Sequence, residues 1–106
     1  MGRWAARTDA NQVQIVDALR RAGCSVQPLH GVGGGCPDLL VGFRGANLLM
    51  EIKDGDKLPS EQKMTGPQKE WHQIWEGQVS VVNSVASALE VVGLASVEIP
   101  LRGTIT

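Results

Sequence analysis

Three charged residues stand at the ends of two short apolar runs. Asp38 opens the run Leu39-Leu40-Val41-Gly42-Phe43, and Glu51 and Lys53 close the run Leu48-Leu49-Met50-Glu51-Ile52-Lys53. Two carboxylates and an ammonium placed in apolar strands are costly unless they compensate one another or hold a cation. The carboxylates are hard oxygen donors suited to Mg2+ or Mn2+, and the Ile52 backbone carbonyl, at the frayed end of its strand, offers a third donor. Lys53, two residues from Glu51, would lie beside a water held there. From that position it can orient the nucleophile or stabilise charge building on a phosphorus centre, while the cation lowers the pKa of the water. The chemistry is that of metal-assisted phosphodiester hydrolysis. The plainer alternative is an exposed hairpin ion pair of Lys53 with Asp38 or Glu51, worth about 0–1 kcal/mol.

Such a site requires the two runs to pair. Directly opposed residues of an antiparallel hairpin have a constant sum of positions, which leaves two registers. Asp38 opposite Glu51 puts Arg44-Gly45 in the turn, and Asp38 opposite Lys53 puts Gly45-Ala46 there. Both offer a glycine to a tight turn. Side chains alternate along a strand, so Glu51 and Lys53 share a face, and an opposed Asp38 joins them with Cβ atoms about 4.5–5.5 Å apart.

Around this hairpin the chain reads as alternating helices and strands. Thr8 or Asp9 caps a helix over residues 9–22, with Ile15, Val16, Leu19 and Ala22 as its apolar stripe and Gly23 as its stop. Weak alternation over residues 24–30 predicts a first strand, followed by the run Gly31-Val32-Gly33-Gly34-Gly35. No Lys-Ser/Thr follows that run and a strand comes next, so it is not a nucleotide-cradling loop, and no nucleotide cofactor is expected. The glycines instead let the backbone approach something closely, with a nucleic-acid phosphate as a candidate. After Lys53 comes a polar, breaker-rich segment too long for a turn. Thr65 then caps a second helix over residues 67–76, whose Trp71, Ile74 and Trp75 spacing assigns the tryptophans to the core rather than to base stacking. Residues 79–82 form a short buried strand, a third helix runs from Ser84 to Gly93, and residues 97–99 are placed on an edge strand. The expected class is α/β, a small mixed sheet flanked by helices in the order αβββαβα. Residues 1–106 form one domain, with 1–8 as a mobile arm.

Composition narrows the function classes. A net charge of −1 argues against a protein that coats nucleic acid without specificity. It does not exclude a nuclease, whose metal-binding carboxylates weigh in that sum. Arg44, Lys57, Lys63 and Lys69, together with Gly33 and Gly34, are candidate DNA contacts. Cys24 and Cys36 fit no zinc pattern, and His30 and His72 add none, so both cysteines are expected as reduced, partly buried thiols. The longest uninterrupted apolar runs are a few residues, so a soluble, cytoplasmic protein without a membrane partner is expected.

The motifs also carry a resemblance. Pro37-Asp38 followed by Glu51-Ile52-Lys53 resembles the PD-(D/E)XK nuclease signature. With Gly35-Cys36-Pro37-Asp38-Leu39, Glu51-Ile52-Lys53-Asp54-Gly55, Thr65-Gly66-Pro67-Gln68 and Trp75-Glu76-Gly77, the chain resembles the VRR-NUC family of virus-type replication-repair nucleases over roughly residues 9–92. The resemblance implies a restriction-endonuclease-like core, a divalent cation (Mg2+ or Mn2+) on Asp38 and Glu51, a catalytic Lys53 and an assisting Gln68. It further implies a phage- or prophage-encoded homodimer acting in a bacterial host on branched DNA such as four-way junctions. Two-fold symmetry would give paired cuts. The family commonly carries a glutamate near the start of helix one, where Thr8, Asp9 and Asn11 precede Gln12 here. Asp9 is the nearest carboxylate and a candidate additional metal ligand. A non-catalytic DNA-binding module on the same fold is the alternative, and a protein-interaction domain that binds no metal is a third.

Overall fold

The computed structural model describes residues 10–55, 57 and 63–93. The expected arm, Asp9 and the expected strand at 97–99 lie outside the described residues. Helix α1 (Ala10–Arg21) leads into strand β1 (Ser25–Pro28), then β2 (Leu39–Phe43) and β3 (Ala46–Ile52). Helix α2 (Gly66–Ile74) and strand β4 (Ser80–Val82) follow, and residues 85–93 form α3. The order αβββαβα and the α/β class are those the sequence predicts. The sheet runs β1-β2-β3-β4, with β1/β2 and β2/β3 antiparallel and β3/β4 parallel. The parallel pair requires a crossover, and α2 lies within it.

Helix α1 stops where glycine permits it. Gly23 adopts φ +97, its N–H bonds Arg20 O at 3.0 Å, and Cys24 N–H bonds Leu19 O at 3.0 Å, a Schellman closure. The buried Ile15 and Leu19 of α1 meet Leu39, Val41, Met50, Ile52 and Val82 of the sheet and Ala88 and Val92 of α3, so one sheet face carries the core. Along β2 the alternation is plain: Leu39 and Val41 are buried and Leu40 is exposed.

The hairpin adopts the first of the two registers. Leu39 pairs with Met50 and Phe43 with Ala46, leaving Arg44-Gly45 as the turn and bringing Asp38 opposite Glu51. Both turn residues have positive φ, +49 at Arg44 and +85 at Gly45, as a two-residue hairpin turn of matching twist requires.

Two packing expectations are corrected. The tryptophans of α2 are not core: Trp75 is 44% exposed, Trp71 is half-buried, and no residue of α2 is buried. They stack on each other instead, with ring centroids 4.6 Å apart. The cause is the face that α2 covers. It lies over the sheet side carrying Glu51, opposite the apolar core. The strand at 79–82 is likewise not buried throughout. Val82 points into the core, whereas Val81, paired with Glu51 on the other side of the edge strand, is exposed.

Candidate active site

The charged residues converge at one end of the hairpin. Glu51 is 1% exposed, and it is the one buried charged residue among those described. Strand alternation turns it away from the core formed by its neighbours Met50 and Ile52. It therefore faces α2, which supplies its polar partners.

Gln68 organises these contacts. Thr65 caps α2, its hydroxyl accepting from Gln68 N–H at 3.3 Å, while Gln68 Oε1 accepts from Thr65 N–H at 2.9 Å, which completes a capping box. The same Oε1 accepts from Lys53 Nζ at 2.7 Å, and Gln68 Nε2 donates to Glu51 Oε2 at 3.0 Å. Turning the amide over would set Nε2 against two donors and Oε1 against a carboxylate, so its orientation is forced. Lys53 Nζ lies 3.8 Å from Glu51 Oε2 and only 13% of the Lys53 side chain is exposed, so the ammonium is held within the cleft. This is not the exposed hairpin ion pair of the plainer reading.

Asp38 sits beside Glu51. Its Oδ2 accepts from Ile52 N–H at 2.6 Å, which continues the ladder past the last paired residue of β2. The N–H and C=O of one strand residue point to the same side, so the Ile52 carbonyl also faces the Asp38 side. Lys53 N–H points the other way, to Val82 O at 2.8 Å. From α1, Asn11 Nδ2 donates to Lys53 O at 2.7 Å and so clamps the end of β3.

The electrostatics follow from burial. Removal from water pushes the Glu51 carboxyl up to about 8, the negative charge of Asp38 and a hydrogen-bond contact with it add to the rise, and Lys53 opposes it. Cys36 is raised by burial first and then by Glu51 and Asp38, and Cys24 by burial alone. Both cysteines are free thiols.

This donor set suits a cation that keeps much of its water. Among the described residues no group of three or more His, Cys, Asp or Glu side chains is arranged around one metal position. Two carboxylates and a main-chain carbonyl nonetheless match what Mg2+ takes when its remaining positions are filled by water and substrate phosphate. A buried carboxyl held up near 8, by burial first and by Asp38 second, resists ionising alone, and a divalent cation beside it would favour the ionised form.

The sequence-derived site residues divide accordingly. Asp38, Glu51, Lys53 and Gln68 come together, with the Ile52 carbonyl on the same side. Lys69 is exposed next to Gln68, Lys63 is exposed before α2, and Lys57 is exposed after β3. Arg44 is not brought to this end. It occupies the far turn, six residues along the hairpin from Asp38 or about 20 Å away, with its guanidinium 5.4 Å from the Phe43 ring centre. The glycine run also differs from expectation. Gly35, at φ +82, makes the close approach, and its partner is the protein itself: a Cβ there would overlap Pro67 O and stand 2.9 Å from Gln68 N. Gly33 and Gly34, at φ +78 and +69, stand in open space.

Sequence reasoning missed two contributors. Asn11 carries no signal beyond its place in the first turn of α1. His72 stands one helical turn after Gln68, on the same face of α2, and that spacing was the available signal. Its Nε2 lies 3.7 Å from Glu51 Oε1. No protein-family model, curated protein or solved structure matches this chain. Among the described residues no helix is long and apolar enough to cross a membrane.

Proposed function

We propose that this protein is a Mg2+- or Mn2+-dependent endonuclease that hydrolyses phosphodiester bonds in branched DNA, such as four-way junctions, as a homodimer. The observation that carries the chemistry is the linked set Lys53–Gln68–Glu51 with Asp38 against Glu51, all on one sheet face. The junction substrate and the dimer rest on the resemblance to the VRR-NUC family.

A bound divalent cation would supply a water of lowered pKa and offset the phosphate's charge, and Asp38, Glu51 and the Ile52 carbonyl are the groups to hold it. Lys53 is held by Gln68 with its ammonium beside Glu51. There it can hold the attacking water or donate to a non-bridging phosphate oxygen as charge grows on it. Gln68 orients: its carbonyl fixes the ammonium and its amide fixes one carboxylate oxygen. Water adds to phosphorus, the P–O bond to the leaving sugar oxygen breaks, and that oxygen takes up a proton. Lys57, Lys63 and Lys69 are exposed and close in sequence to Lys53 and Gln68, and can meet the DNA backbone. Arg44, at the far end of the hairpin, would reach only a distant part of a large substrate.

The test is a panel of labelled four-way, flapped and linear DNA incubated with Mg2+ or Mn2+, with chelator as control. Cation-dependent cuts in branched DNA are expected. Absence of cleavage across the whole panel would overturn the enzyme reading and leave the non-catalytic DNA-binding module, and a monomer in sedimentation at micromolar concentration would remove the dimer.

A further inference from the structure

Glu51 Oε1 and His72 Nε2 are the two buried side-chain polar atoms, among the described residues, that no hydrogen-bond partner satisfies. They face each other at 3.7 Å. Leaving such atoms unsatisfied is costly, so an unmatched pair inside a cleft calls for an occupant. Asp38 can serve Oε1 only while the two carboxyls hold a proton between them, a proton that a bound cation would displace.

The spacing limits what lies between. It is too long for a direct hydrogen bond, and one water bonded to both atoms would set them about 4.5 Å apart. A cation about 2.1 Å from each atom spans 3.7 Å at an angle of about 120°. Neighbouring ligands of an octahedral Mg2+ or Mn2+ stand about 3.0 Å apart, so either ion would draw the two atoms closer together and the spacing alone does not separate the two ions. The ring is also held in place, edge-on to Trp71 with centroids 5.6 Å apart, and His72 is 15% exposed. An imidazole nitrogen is a ligand that first-row transition ions accept and Mg2+ accepts poorly.

We propose that His72 Nε2 and Glu51 Oε1 are two ligands of one first-row transition cation, and that His72 makes the site favour Mn2+ over Mg2+. The inference rests on the reading of Glu51 as a cation-binding carboxylate and adds the choice of ion. His72 is here a ligand that selects the cation; the proton transfers of the reaction do not pass through it.

The test is binding, without DNA. Electron paramagnetic resonance counts bound Mn2+, pulsed measurements on the bound ion detect imidazole nitrogen coupling, and competition gives the Mg2+ affinity. The wild-type protein is expected to show nitrogen coupling. In His72→Gln the coupling should vanish, with Mn2+ affinity down about tenfold or more and Mg2+ affinity changed less than about threefold. His30→Gln should retain the coupling. Mn2+ bound by the wild-type protein without nitrogen coupling would overturn the role of His72 and leave a carboxylate-only site. Failure of the wild-type protein to bind either ion would overturn the cation reading of Glu51 and this inference with it. Should His72→Gln not fold, the wild-type and His30→Gln spectra decide alone.

Discussion

Replacing Glu51 by glutamine should stabilise the cation-free protein at neutral and alkaline pH while removing cation binding. In the fold the Glu51 carboxyl is raised from 4.5 to about 8, so between those values the folded chain keeps a proton that the unfolded chain has released. Stability contributed by that proton is complete below pH 4.5 and is lost as pH rises towards 8. At about 1.4 kcal/mol per pH unit, the loss between pH 5 and pH 8 is on the order of 3 kcal/mol, shared by the coupled Asp38–Glu51 pair. Burial at 1% exposure means that solvent screening does little to reduce it. Glutamine at 51 can still accept from Gln68 Nε2, and its own amide can donate to Asp38. The assay is urea denaturation of wild type and Glu51→Gln at pH 5 and pH 8 in chelator, compared as the difference between the two proteins so that groups titrating in both cancel. Wild type should lose about 3 kcal/mol more than the variant across that interval. Adding Mn2+ at pH 8 should restore wild type and leave the variant unchanged. Parallel pH profiles would refute the placement of a charge-strained carboxyl at the centre of this site.

Two further substitutions probe how α2 is positioned. Gly35→Ala should cost about 2 kcal/mol or more, because φ is +82 and the new Cβ would overlap Pro67 O, whereas Gly34→Ala should pay only about 1 kcal/mol for its φ of +69; equal losses in thermal denaturation would show that the loop does not hold α2. Gln68→Glu keeps the acceptor of the capping box but sets a carboxylate against Glu51, so far-ultraviolet circular dichroism should stay near wild type while cleavage falls about tenfold or more; unchanged cleavage would remove Gln68 from the site.

How much of this could be read from the chain depends on the kind of signal. The stop at Gly23, the Thr65 cap and the apolar stripe of α1 are local, and the structure has them where the sequence places them, except that Ala22 of the stripe is exposed past the end of the helix. The hairpin register was open between two values because both put glycine in the turn. The chain takes the one that also sets Arg44 at φ +49, a conformation an arginine side chain does not advertise. The tryptophans of α2 misled because i, i+3, i+4 spacing marks a covered face without saying what covers it. Here Ile74 and Trp75 of that stripe are exposed, and Gln68 and His72, not the tryptophans, make the contacts with Glu51. The glycine run announced a close approach, but the partner, the Pro67–Gln68 backbone, is 32 residues further along the chain and carries no complementary pattern. His72 carries one signal, its place a helical turn after Gln68, and that spacing acquires a meaning only when Glu51 is seen opposite it.

The most direct measurement is single-turnover cleavage of a four-way junction in Mn2+ by wild type and Lys53→Ala, with Mn2+ binding measured on both proteins. Loss of the ammonium that Gln68 holds 3.8 Å from Glu51 should leave Mn2+ affinity within about threefold and slow cleavage by about a hundredfold or more. Wild-type cleavage by Lys53→Ala, or no cation-dependent cleavage by either protein, would contradict the assignment of this hairpin as a nuclease active site.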